Sequence, residues 1–182
     1  MRFNMKKIYQ VSIVVLSLLA THQSYAKNCT SSITSNTPES RYEIVKESNG
    51  AEVMDKQTGL IWQRCSIGQI WASNSCLGTP SKHTWSSALT RVKELGNGYR
   101  LPNIKELQTL VDEKCGEPAI NHTIFPKTDI YRDYLSSTTL PINRTVNDDS
   151  TVWSVNFESG NTSNGYKEER IFNIRAVRVK NP

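Results

Sequence analysis

The sequence predicts an α+β domain, small helices packed beside antiparallel sheets with long irregular loops. Three observations predict it. Short apolar stretches alternate with polar residues around turn signals, as in Tyr42-Glu43-Ile44-Val45 and Ala51-Glu52-Val53-Met54 about Ser48-Asn49-Gly50. Two segments carry three- and four-residue apolar spacing, and each is opened by a residue able to cap a helix, Thr84 and Asn103. The remainder is polar chain with neither period, and no internal repeat, collagen tract or coiled coil interrupts it.

The elements follow in order. Arg2, Lys6 and Lys7 precede an apolar run from Ile8 to Ala20, and Ser24-Tyr25-Ala26 places small residues where a signal peptidase cuts. The run is too short to cross roughly 30 Å of hydrocarbon, so residues 1–26 are expected to be a secretory signal. No lipid is expected on Cys29, because Lys27 and Asn28 separate it from the cut. Residues 27–40, rich in Ser, Thr and Asn, read as an extended arm with little to bury, and residues 41–182 as one domain. Asp55-Lys56-Gln57-Thr58-Gly59 turns the hairpin into a third strand, Leu60 to Gln63. Cys65 to His83 reads as a loop. A first helix is expected from Trp85 to Leu95, stopped by Gly96, and a second from Ile104 to about Asp112. Between them Pro102 holds the chain extended, and Glu106, three residues after Asn103, can reach back to the cap amide. Residues 113–135 read mostly as loop, with Phe125 filling the core. Strands are expected at Tyr134 to Thr138, Thr151 to Phe157 and Phe172 to Val179, with a turn at Glu158-Ser159-Gly160-Asn161.

Charge excludes one class of partner. The chain holds 22 Lys and Arg against 17 Asp and Glu. Removing Arg2, Lys6 and Lys7 with the signal leaves 19 against 17, a net charge of +2, so nucleic-acid binding is not expected. Four cysteines, all beyond the signal, favour two disulfides in an oxidising compartment. Of the three possible pairings, Cys65 with Cys76 and Cys29 with Cys115 is favoured, because the first closes a short loop and the second pins the arm. A zinc site fits poorly, since the spacings lack a close Cys-x-x-Cys pair.

The block Gly98-Tyr99-Arg100-Leu101-Pro102-Asn103-Ile104-Lys105-Glu106-Leu107 resembles the signature of the family found at the C-terminus of the Legionella collagen-like adhesin. Further parts of that pattern stand in order: Asp55 to Trp62, Arg64 to Trp71, Thr84 to Ala88, Ile124-Phe125-Pro126, Ser136-Ser137-Thr138 and Arg175-Ala176-Val177-Arg178. The resemblance runs from about Val53 to Val179. It implies a C-type lectin-like fold, two helices flanking twisted antiparallel sheets with long loops. It also implies an adhesin-like role, because the founding adhesin binds sulfated glycosaminoglycans through this domain.

Chemistry in the residues themselves is sparse. His83 and His122 lie in polar stretches without a neighbouring carboxylate, so catalysis is not expected. Calcium requires about six to eight oxygens, whereas Glu117-Pro118-Ala119, Trp153-Ser154-Val155-Asn156 and Asp148-Asp149 lack the full donor sets of calcium lectins. No metal or cofactor is expected. The four Asn-x-Ser/Thr triplets, at Asn28, Asn121, Asn143 and Asn161, are read as chance matches. Arg170, Arg175, Arg178 and Lys180 form an acid-free cationic tail, the expected candidate surface for sulfate groups, with an internal structural role as the competing reading for Arg175 and Arg178. Of the tryptophans, Trp62, Trp85 and Trp153 are expected in the core, and Trp71, in the cysteine loop, is the candidate for stacking on a sugar. The expectation is therefore an exported binding module, periplasmic or at the cell surface, for an anionic or sulfated polysaccharide. A structural component that binds a surface protein is the alternative.

Overall fold

The computed structural model describes residues 28–140 and 151–180. The expected signal, residues 1–26, and Asp148-Asp149 lie outside the described residues. In chain order the elements are β1 (Asn28–Cys29), β2 (Tyr42–Ile44), β3 (Glu52–Asp55), β4 (Leu60–Gln63), β5 (Ile70–Ala72), β6 (Ser75–Leu77), α1 (Trp85–Glu94), α2 (Ile104–Gln108), β7 (Cys115–Gly116), β8 (Tyr134–Thr139), β9 (Thr151–Val155), β10 (Thr162–Tyr166) and β11 (Val177–Val179). They form antiparallel sheets ordered β11-β4-β3-β2 and β10-β9-β8, with small pairs β1-β7 and β5-β6. This is an α+β architecture.

Strand alternation gives the larger sheet two unlike faces. Val53, Leu60, Trp62 and Val177 point into a core with Phe125, Tyr134 and Phe157, and Trp62 is fully buried. Burial of such side chains contributes about 2–3 kcal/mol each. On the opposite face, Glu52 lies across from Gln63, and Arg178 across from Ile61. A second core, with Ala88, Val92, Leu101, Leu135 and Phe172, seats α1 against the other sheet.

The blocks that carry the family resemblance fold as joints. Asp55, fully buried, accepts from Arg41 at 2.7 and 2.5 Å, from Thr58 Oγ1 at 2.8 Å and from Gln57 N at 3.0 Å, which closes the Asp-to-Gly turn. Asn103 accepts from Glu106 N at 2.9 Å and Glu106 accepts from Asn103 N at 2.8 Å, the expected reciprocal cap. Arg100 then grips the same carboxylate at 2.7 and 2.8 Å. The Ser136-Ser137-Thr138 block docks on this junction, Ser137 N donating to Pro102 O at 2.8 Å and Ile104 N donating to Thr138 Oγ1 at 2.9 Å.

Several expectations require correction. The loop from Cys65 to His83 contains the β5-β6 hairpin, turned by Ser73 and Asn74 at φ 51° and 59°. The second helix ends at Gln108, not Asp112. After it the chain tightens to three-residue bonds (Leu110 N to Leu107 O, 3.2 Å), and Asp112 N turns to Ala119 O at 3.0 Å. Thr162 to Tyr166 is a strand that polar composition conceals, formed because β9 offers it a full partner ladder. The last strand shortens to Val177–Val179, while Phe172 makes only an isolated bridge to His83. The arm is pinned: Thr37 is fully buried, Asn36 Nδ2 donates to Val111 O at 2.9 Å, and Asn28–Cys29 pairs with Cys115–Gly116. Both disulfides form in the favoured pairing, Cys29 with Cys115 and Cys65 with Cys76.

Candidate functional site

A cleft of about 590 Å³ opens where the polar face of the larger sheet meets the stapled hairpin and the end of α1. Glu52, Gln63 and Arg178 come from the sheet, Trp71 and Gln69 from the cysteine loop, and Arg91, Asn97 and Tyr99 from α1 and the turn after it. Its size lies within the range of small-ligand pockets, about 300–1,000 Å³.

Trp71 is fixed on several sides. Its cross-strand partner is Cys76, so the Cys65–Cys76 disulfide holds the strand that carries it. The indole Nε1 donates to Asn49 O at 3.1 Å, and the Arg64 guanidinium stacks on the ring at 4.0 Å. Arg64 is itself held by three carbonyls, Ile124 at 2.7 Å, Thr123 at 2.9 Å and Gly50 at 3.1 Å. Gly50, at φ +87°, is required here: a Cβ on it would lie 3.2 Å from the indole nitrogen. The β2-β3 turn and the disulfide loop therefore meet on one aromatic side chain.

Beside Trp71, Arg178 donates to both oxygens of Glu52 at 2.9 and 2.8 Å, and Tyr99 hydroxyl donates to the same carboxylate. The guanidinium also lies over the Tyr99 ring at 5.7 Å. Arg91, at the opposite wall, pairs with Glu94 at 3.1 Å and keeps 44% of its side chain exposed. Glu47 and Glu52 balance Arg91 and Arg178, so the charged residues lining the cleft sum to zero.

The expected cationic patch does not assemble. Arg175 is fully buried, donating to Gln63 O at 3.0 Å, Arg64 O at 2.5 Å and Thr128 Oγ1 at 2.8 Å, with its guanidinium over Phe125 and Tyr134. Burial pushes its proton affinity down, yet a guanidinium stays charged there. It is a fold-holding cation out of reach of a surface ligand. Arg178 reaches the cleft. Arg170 lies elsewhere, paired with Asp133 at 2.8 Å in a separate groove with Tyr131 and Ile171. Lys180 is exposed beyond the end of β11. Of the five candidates, the structure brings together Trp71 and Arg178.

Trp62 is core as expected. Trp85 and Trp153 are only half-buried, and Lys167 lies over the Trp85 ring at 5.0 Å. Sequence reasoning missed Arg64, Glu52, Tyr99 and Arg91. The Asn49-Gly50 turn and Arg64, the first residue of the block ending at Trp71, are the local signals that point to the Trp71 platform. His83 accepts or donates a 2.7 Å hydrogen bond with Ser81 Oγ, and burial, then the Arg91 charge, lower its pKa. Among the described residues no cluster of His, Cys, Asp or Glu could hold a metal ion, and no helix is long and apolar enough to cross a membrane.

No curated protein and no solved structure matches the chain. The Lcl C-terminal domain pattern does match, over residues 51–178, which include the cleft's Glu52, Trp71, Arg91 and Arg178 as well as the buried Arg175; the chain belongs to this adhesin-like surface protein family.

Proposed function

We propose that this protein is an exported, adhesin-like binding module that recognises a polysaccharide in the Trp71 cleft, on a C-type lectin-like arrangement of helices and sheets. The observation that carries this reading is the fixed indole: Arg64, Asn49 and Gly50 hold Trp71 at the rim of a polar cleft, and a pre-set aromatic plane beside hydrogen-bonding groups is what sugar recognition requires. Two disulfides suit the oxidising compartment an exported module occupies, in the periplasm or at the cell surface.

The scattered arginines alter the expected chemistry of the ligand. Arg178 is neutralised by Glu52, and Arg91 is the exposed cation of the cleft, so stacking and hydrogen bonding supply most of the affinity and a sulfate or carboxylate adds to it at Arg91. A glycan array of the purified protein, run with and without a chelator and at low and raised salt, tests this. Binding that survives both the chelator and raised salt, and is lost in Trp71→Ala, is expected. Binding abolished by modest salt would instead place recognition on an ionic surface.

A second reading has its own observation. Ile70 and Leu77 face each other across the stapled hairpin and are 71% and 53% exposed, an apolar pair suited to a protein partner in a surface apparatus. An empty glycan array, together with co-purification of a surface protein that Ile70→Glu abolishes, would favour it.

A further inference from the structure

Arg91 lines more than the Trp71 cleft. That arginine also lines a second groove of about 430 Å³ on the outer side of α1, with His83, Ser86, Ser87, Thr90 and Glu94. Arg91 is thus the shared wall of the two cavities, and Glu94 fixes its guanidinium there at 3.1 Å.

The opposite side is also continuous. Gly68, on the cleft, packs so closely on Ser81 that a Cβ would fall 2.3 Å from the Ser81 nitrogen, and Ser81 N donates to Ile67 O at 2.8 Å. Ser81 Oγ in turn holds the His83 ring at 2.7 Å, and His83 N and O exchange 2.9 Å hydrogen bonds with Phe172. A chain of contacts therefore runs from Gly68 on the cleft to His83 on the outer groove, beside the link that Arg91 makes on the helix. The outer groove is lined by hydroxyls, an imidazole and an ion pair, groups that hydrogen-bond saccharide hydroxyls and offer little to an apolar ligand.

We propose that the two cavities are successive subsites for one extended saccharide chain, which passes over Arg91 from the Trp71 cleft to the groove beside His83 and Thr90. This rests on the polysaccharide reading above and adds to it the dimension of the ligand: a chain longer than one cavity holds, in place of a terminal sugar or a compact small molecule.

The test is affinity against chain length, measured by calorimetry on the full exported protein with two size-fractionated probe series, heparin fragments and maltooligosaccharides, each from two to ten sugars. In at least one series, affinity should rise by about tenfold or more between the shortest fragment and one long enough to fill both cavities, as linked subsites require. Thr90→Trp, an exposed helix position whose fold is checked by circular dichroism, should block the outer groove and remove most of that gain, while changing the affinity of the shortest fragment by less than about twofold. Affinity that is flat with length, or a length gain untouched by Thr90→Trp, overturns the two-subsite proposal and leaves the cleft reading standing. Absence of binding at every length in both series sinks the polysaccharide reading and this extension with it.

Discussion

Arg175 and Arg178 sit in one short segment, yet they belong to two different parts of the molecule. Arg175 is enclosed, and its two terminal nitrogens donate to the carbonyls of Gln63 and Arg64 and the hydroxyl of Thr128. Arg178 lies at the cleft with a carboxylate partner, Glu52, and a neighbouring Tyr99. The two are three residues apart, so strand alternation sets them on opposite faces, Arg175 on the core side with Val177 and Arg178 on the cleft side, and Gln63 N, donating to Ala176 O at 3.1 Å, carries the pairing back past Val177. The difference teaches that an arginine in a recurring block marks either a joint or a binding wall. What decides is whether its donors meet main-chain carbonyls in the interior or a side chain at the surface.

The largest effect expected from this contrast is on stability. Arg175→Ala leaves the carbonyls of Gln63 and Arg64 without this donor and opens a void in the core, and should cost about 5 kcal/mol, whereas Arg178→Ala removes the bidentate partner of a Glu52 that keeps Tyr99 and should cost about 2 kcal/mol, both read by urea unfolding. Near-equal costs would erase the distinction. The two disulfides sharpen it next. The Cys29–Cys115 bridge spans 86 residues and its loss as a serine pair should cost about 4.5 kcal/mol. The Cys65–Cys76 bridge spans 11 and should cost about 3 kcal/mol. Only the second removal should abolish saccharide binding, because it frees the strand that carries Trp71.

Acid should act on the joints. Burial by itself would raise the Asp55 pKa, but hydrogen bonds from Arg41, Thr58 and Gln57 outweigh it and hold the carboxyl below the usual range. Glu106, gripped by Arg100 and Asn103, and Asp133, held by Ser163, Asn156 and Arg170, are lowered in the same way against their burial. A carboxylate depressed in the folded state stabilises the fold above its unfolded pKa, about 4, and that contribution is lost as pH falls through the folded value. Stability should therefore decline below about pH 4. Asp55→Asn should cost about 2 kcal/mol at neutral pH and flatten the decline, as thermal melts across pH 2 to 7 would show. The smallest stability effect belongs to Arg91→Ala, within about 0.5 kcal/mol by urea unfolding, although the same variant should weaken binding by bridging neither cavity.

Local signals made much of the fold legible. The cap at Asn103, the hairpin at Asn49-Gly50, the Asp55 turn and the short Cys65–Cys76 loop each act over a few residues, so spacing alone exposes them. What stayed hidden depends on distant partners. Thr162-Ser163-Asn164-Gly165-Tyr166 has weak strand character and is ordered by the ladder of β9. The shortened second helix reflects the bridge of Val111 to Ile120 and the path the chain takes toward Cys115. Arg175 carries two readings in the sequence, surface cation and internal strut, and its burial, rare for an arginine, decides for the second. In the site, Trp71 was visible as an aromatic in a crosslinked loop, while Glu52, Tyr99 and Arg91 come from separate segments that only the folded sheet and helix bring to one cleft.

Hydrogen exchange of the full exported protein, with and without the saccharide that binds it most tightly, tests the central claim most directly. Bound ligand should slow exchange at residues 63–71 and 91–99 and around Arg178, and leave residues 131–133 and 169–171, beside Arg170, unchanged. Protection confined to the Arg170 groove, with the Trp71 cleft unaffected, would contradict the account.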